Sequence, residues 1–343
     1  MTPHKHLPIL AFTLTILLIA AGCHKSNSPA TSPTTALTSD STGHQVRTPF
    51  GLVDKSTVHY IGEGYRLRIV NNRIQKFEKS SGKMVEDFGE VKPNEARFNL
   101  RNLSTAGHSN GSAANHSNGS SLTVNGLGSD GRVPAPASGW IADANWTNNT
   151  GTPITQFITS WVVPSNPVNP SGQTLFLFNG MQDGLTSTSY ILQPVLQWGG
   201  SAAGGGQYWS ITNWFVSSSL TFYGPLITVS SGTNLQGVMA EVSSSGSSYN
   251  YVSYFSGYSP AIEIEGIPQP TWCAETLEAY GVTDENTQYP PNTDIAMYGI
   301  QILLGSNNAN LSWATGQATP GSALRANVVS NASPGGEVDI YFR

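Results

Sequence analysis

Two strand-like stretches hold the residues whose types point to chemistry. Ser189–Trp198 reads Ser-Tyr-Ile-Leu-Gln-Pro-Val-Leu-Gln-Trp. Strand alternation puts Ile191, Gln193, Val195 and Gln197 on one face, and Tyr190, Leu192, Pro194, Leu196 and Trp198 on the other. Two Gln on so apolar a strand fit either a solvated outer face or a polar cleft. Trp272–Tyr280 reads Trp-Cys-Ala-Glu-Thr-Leu-Glu-Ala-Tyr. Its Glu275 and Glu278 are three apart and so face opposite sides of an unbroken strand. Glu278 shares its face with Trp272, Thr276 and Tyr280, which suits an aromatic-lined cleft. Burial there raises a carboxyl pKa and readies it for acid or base work.

The charge pattern excludes most other catalytic machinery. The chain has 343 residues and a net charge of −5, unevenly spread. Residues 138–343 carry twelve acidic side chains, only two basic ones (Arg325 and Arg343), and no His or Lys. Imidazole-based nucleophilic catalysis, lysine dyads and Schiff bases are therefore excluded from this part acting alone. With one Cys, Cys273, it offers no metal-ligand set, and neither a metal nor a cofactor is expected. A net acidic chain with 16 Lys and Arg does not suit nucleic acid.

Ahead of this domain the composition changes four times. Residues 1–23 have a short basic start and an apolar run, Leu7–Ala21, too short to span a bilayer comfortably. The run ends Ala20-Ala21-Gly22-Cys23, which resembles a bacterial lipobox. That resemblance implies lipidation at Cys23, membrane anchoring, and a location in the cell envelope outside the cytoplasm, or secretion after processing. Cys273 then has no disulfide partner. Residues 24–46 read as a flexible tether. Residues 47–101 hold eleven basic and seven acidic residues, a net of +4. Tyr65–Val70 alternates like a half-buried strand, so this basic, propeptide-like segment reads as a small β-rich unit. Residues 102–137 form a low-complexity linker. Its His108 and His116 sit in a slipped Ser-Asn-Gly-Ser repeat rather than a metal pair.

Residues 138–343 read as all-β. Phe157–Val163, Thr174–Phe178, Ser189–Trp198, Gln207–Phe215, Leu220–Tyr223, Asn250–Phe255, Trp272–Val282, Asp294–Leu304 and Val338–Phe342 have strand character, with Gly, Ser, Asn or Pro turns between them. About ten strands at this spacing predict two packed antiparallel sheets, a β-sandwich of jelly-roll type. No stretch has a helical period.

Four ordered stretches make residues 139–343 resemble the glutamic peptidases, the eqolisins of peptidase family G1. Trp161-Val-Val-Pro-Ser165 resembles the family's strand ending in Val-Pro. Phe178-Asn-Gly-Met-Gln-Asp-Gly184 resembles Trp-Val-Gly-Ile-Asp-Gly. Ile191-Leu-Gln193 matches the family's Ile-Leu-Gln, and Ala274-Glu-Thr-Leu-Glu278 resembles Ala-Glu-x-x-x-Glu. Thr212-Asn-Trp-Phe215 also resembles the family's Tyr-Glu-Trp-Tyr strand. The resemblance implies a concanavalin A-like sandwich and an acid-acting monomeric endopeptidase on protein or peptide substrates. Glu278 would be the general base on a water, and Gln193 the N–H donor to the oxyanion. Phe178, Asp183, Asn213 and Trp214 would line the substrate site. The Glu278 motif is one residue shorter than the family pattern, which leaves Glu275 as the reserve for the catalytic Glu. Phe178 replaces a cleft Trp and Asn213 replaces a Glu.

Two other functions fit parts of the sequence. Glu263 and Glu265, two apart, suit either a glycoside hydrolase pair or an exposed edge strand. All eight Trp lie beyond residue 138, as a lectin-like carbohydrate-binding sandwich would have them. The basic segment, facing an acidic domain, is expected either to cover that domain as a propeptide released by acid or to serve as a spacer.

Overall fold

A computed structural model describes residues 43–93, 139–184 and 190–343. The expected signal segment with Cys23, most of the tether, and the linker with His108 and His116 lie outside the described residues. The described residues are almost wholly β, as the alternating patterns predict. They form two large, mainly antiparallel sheets packed as a sandwich, plus a small hairpin. Besides a 3-10 turn at Lys55–Thr57, there is a short α-helix, α1 (Glu285–Gln288), capped by the Asp284 carboxylate.

The first sheet carries the candidate chemistry. Its strands run, side by side, Ala314–Gln317, Gly139–Thr147, Trp272–Tyr280, Thr174–Gln182, Tyr190–Ser201, Gly204–Ser217, Thr221–Tyr223 and Val58–Tyr60. The second sheet includes Ile154–Val162, Asn234–Ser245, Ser248–Phe255, Ala261–Ile267 and Asp294–Leu304. Leu175, Leu177, Leu192, Leu196 and Leu277 of the first sheet meet Phe157, Trp161, Met239, Tyr251 and Phe255 of the second in one buried core. Burying each such side chain contributes about 1.5–3 kcal/mol. Cys273 is a free, buried thiol in this layer, and burial pushes its pKa up.

The basic segment supplies strands to both sheets. Val58–Tyr60 pairs in parallel with Thr221–Tyr223 on the first sheet. Tyr65–Val70 pairs in parallel with Ala261–Ile267 on the second, and Arg73–Glu78 and Met84–Glu90 follow outward. Its Ile61, Leu67 and Ile74 are fully buried in the shared core. A short unit can bury few residues by itself, and sheet edges offer unpaired N–H and C=O groups. Charge completes the join. Arg66 and Arg68 pair with Glu265 at 2.8 and 2.5 Å, and Lys79 pairs with Glu263 at 2.7 Å. Gly266, at φ +82°, lets the Ile69 carbonyl come close; a Cβ there would lie 2.6 Å from that oxygen.

Among the strands that the sequence leaves unread are Gly139–Thr147, where Asp143 interrupts an apolar run, and Asn234–Ser245, whose end is a polar Ser run. Both are held by pairing with neighbours on each side.

Candidate active site

The outer face of the first sheet is built in cross-strand rows, because directly paired antiparallel residues point the same way. One row runs Thr212, Val195, Phe178, Thr276, Asp143 and Gly316. The next row in one direction runs Ser210, Gln197, Phe176, Glu278 and Trp140. The next in the other direction contains Trp214 and Gln193, and Gly180, Ala274 and Asn145. The flanking pairs Leu192–Met181 and Val195–Phe178 bring Gln193 level with Gly180.

The parity read from the sequence for each strand holds, and the pairing between strands puts Gln193 and Glu278 on one face. Both are fully buried. Gln193 is surrounded by a second apolar cluster of Phe176, Phe178, Ile191, Val195, Trp214 and Val216. Neither its Nε2 nor its Oε1 has a hydrogen-bond partner, nor does the Trp214 indole N–H directly across the strand pair. Two buried polar side chains with unspent N–H groups therefore lie next to each other on this face. The Glu278 carboxylate accepts a hydrogen bond from the Tyr280 hydroxyl, two residues on along the same face. Trp140 stands opposite Glu278, with its ring 5.8 Å from Phe178 and 5.9 Å from Trp272.

Gln193 and Glu278 are two rows apart. Two strand spacings sideways and four residues along separate their Cα atoms by about 16 Å. The Gln193 amide makes no hydrogen bond to Glu278. Phe178, Val195 and Thr276 occupy the row between them.

The other expected site residues divide. Phe178 and Trp214 belong to the buried cluster on this face, and Trp214 packs against Tyr223 at 5.3 Å. Asp183 sits at the strand end, where its Oδ1 accepts from the Tyr190 N–H at 3.3 Å. Asn213 is not on this face. Its parity is opposite to that of Trp214, so it points between the sheets, where its Nδ2 donates to the Pro260 carbonyl and its Oδ1 accepts from Ser253. Glu275, the reserve carboxylate, also points inward. It accepts from Thr159 of the second sheet, and burial holds its pKa well above the carboxylate range. Gln197 lies on the same face as Gln193, but its amide is spent locally. Nε2 donates to the Gly199 and Gly204 carbonyls, and Oε1 accepts from Ser201. Glu263 and Glu265 are ion-paired on the second sheet.

Sequence reasoning missed Asp143. It is 1% exposed, opposite Thr276 and diagonal to Glu278, and its Oδ2 accepts from Asn145 at 2.8 Å. Diagonal neighbours lie about 7–8 Å apart, within reach of two carboxyl side chains. An acidic residue in an apolar run, Trp140-Ile-Ala-Asp-Ala144, was the available signal.

No protein-family model matches the chain, and no curated protein matches it. Among solved structures it is similar to scytalido-glutamic peptidase with a peptide-based transition-state analogue. The TM-score is 0.40 at 13% identity, over 59% of this chain and 98% of that chain. A second structure of that peptidase, with a transition-state analogue inhibitor, gives 0.39 and 14% over 60% and 98%. SCP-B, a member of the eqolisin family of peptidases in complex with the tripeptide Ala-Ile-His, gives 0.38 and 14% over the same shares.

Proposed function

We propose that this chain is an acid-acting peptide-bond hydrolase whose cleft is the outer face of the first sheet. Glu278 is the general base on the attacking water and then returns the proton to the leaving amine. Gln193 donates its amide N–H to a carbonyl of the bound chain. What supports this reading is one observation: a fully buried carboxylate and a fully buried amide with no partner share an aromatic face. The domain has no His or Lys to do the same work. The motifs Ile191–Gln193 and Ala274–Glu278 resemble those of the glutamic peptidases. Because the two groups are two rows apart, an extended substrate meets them through different carbonyls. Gln193 thus holds the chain while Glu278 serves the scissile bond. Cys23 as the lipid-bearing residue, a cell-envelope location and a monomeric state belong to the same proposal.

The same separation favours a second reading, a non-catalytic cleft that binds without cleaving. The test is hydrolysis of a denatured protein by the full chain between about pH 2 and 7, a span that brackets carboxylate titration. Acid proteolysis that disappears in Glu278→Gln supports the hydrolase. Retained activity in that variant refutes the role of Glu278. Binding of peptide or polysaccharide without cleavage supports the second reading.

A further inference from the structure

The cleft floor is covered from the N-terminal side by a hairpin, Gln45–Thr48 paired with Gly51–Asp54. Its turn residue Phe50 is 7% exposed and belongs to the same buried cluster as Phe176, Phe178, Ile191, Val195, Trp214 and Val216. The hairpin is moored at the rim. The Arg47 guanidinium donates to the Gly172 carbonyl at 2.7 Å and to the Thr174 hydroxyl at 3.1 Å. The Ala202 N–H donates to the Arg47 carbonyl at 2.8 Å. A Cβ added at Gly51 would lie 3.7 Å from the Tyr280 hydroxyl, which donates to Glu278.

We infer that this hairpin is a built-in occupant of the binding cleft, with Phe50 filling the subsite that takes a large aromatic side chain of a peptide ligand. Three features carry it. Phe50 comes from a separate stretch of chain, yet it completes a cluster otherwise formed by the floor. It is moored by one backbone hydrogen bond, from the Ala202 N–H, and by the Arg47 side chain, so that Phe50 is held over the cluster by few contacts. The fit is also incomplete in one respect. A phenyl ring accepts no proper hydrogen bond, so the Gln193 amide and the Trp214 indole N–H beneath this cluster stay unpaired. A peptide that brings both an aromatic side chain and a backbone carbonyl would satisfy what Phe50 leaves open, and buried unpaired donors make that exchange favourable. The chain is therefore self-occupied but displaceable, and its ligands are peptides with an aromatic anchor.

This inference rests on the cleft being a peptide site, but not on its being catalytic. The experiment uses the full chain carrying Glu278→Gln, so that binding is read without turnover. Two fluorescein-labelled hexapeptides are titrated by fluorescence polarisation, one with Phe at its third position and five Ala, the other with Asp in place of Phe. Phe50→Ala is expected to tighten the Phe peptide about tenfold or more, the scale set by burying one aromatic side chain, and to leave the Asp peptide weak. Arg47→Ala, which loosens the mooring without touching the subsite, is expected to act in the same direction. Unchanged affinity in both variants, with thermal melts showing that both are folded, would overturn the inference and make Phe50 ordinary core. Equal tightening of both peptides would overturn the aromatic anchor. If the Phe peptide binds as expected and the otherwise unaltered enzyme cleaves nothing in acid, the subsite stands and the hydrolase reading fails.

Discussion

Gln193 and Glu278 lie on one face of one sheet, both sealed from solvent, with Phe178 and Thr276 in the row between them. An extended peptide needs about four or five residues to pass from one to the other. Their kinetic effects should therefore separate. Glu278→Gln is expected to lower kcat by about 10²–10⁴, the usual share of a general base. Gln193→Ala should raise KM more than it lowers kcat. A kcat loss near 10² or more with unchanged KM would instead put the Gln193 amide on the scissile carbonyl.

The two Gln of that strand should also differ in stability. Gln197 spends its amide on Gly199, Gly204 and Ser201, whereas Gln193 spends none. Gln193→Met is expected to stabilise the fold by about 1 kcal/mol, because it removes a buried unpaired group. Gln197→Met should destabilise it by about 1–3 kcal/mol by orphaning two carbonyls and a hydroxyl. Denaturant unfolding of the two variants checks this. A loss at both sites would mean that Gln193 has a partner in solution.

Glu275 gives the chain an acid-leaning stability term. Burial raises its pKa well above the ordinary value, against a smaller downward pull from the Thr159 hydroxyl. The folded state then holds the proton more tightly than the unfolded state. The stabilisation is complete below the ordinary carboxylate range and is lost as pH rises through the raised value. Asp87, held down to about 2 by Arg73, acts with the opposite sign, so the comparison must be with a variant. Glu275→Gln should melt lower than or level with the parent in acid and hold its melting temperature better toward neutral pH. Parallel profiles across pH would remove Glu275 from the account.

The junction between the basic segment and the second sheet should respond to salt. Glu265 binds Arg66 and Arg68 in a partly exposed setting, where such pairs contribute about 1 kcal/mol or less and are screened. Glu265→Gln is expected to lower the melting temperature by a few degrees at low ionic strength and by less at high salt. Gly266→Ala, which would press a methyl group into the Ile69 carbonyl, should cost more and show no salt dependence.

Much of the site was legible in local alternation. Parity put Gln193 on the face of Ile191 and Val195, and Glu278 on the face of Thr276 and Tyr280, and both assignments hold. Parity also separated Glu275 from Glu278 and would have turned Asn213 away from Trp214. The carry-over of a substrate role to Asn213 came from motif likeness instead, and its amide is satisfied between the sheets. Asp143 went unread because a carboxylate inside an apolar run hides a strand whose partners are remote in sequence.

The sequence by itself determined the β class, the faces of the chemical strands, and a domain restricted to carboxylates, amides and aromatics. These follow from side-chain type and a two-residue period, which are local. Only the tertiary structure decided that Gln193 and Glu278 stand two rows apart, that Glu275 is shut between the sheets, and that Phe50 closes the floor. Rows are set by register between strands far apart in the chain, and burial is set by what packs on top. Neither quantity is carried by a single strand, so neither could be read until the sheets were assembled.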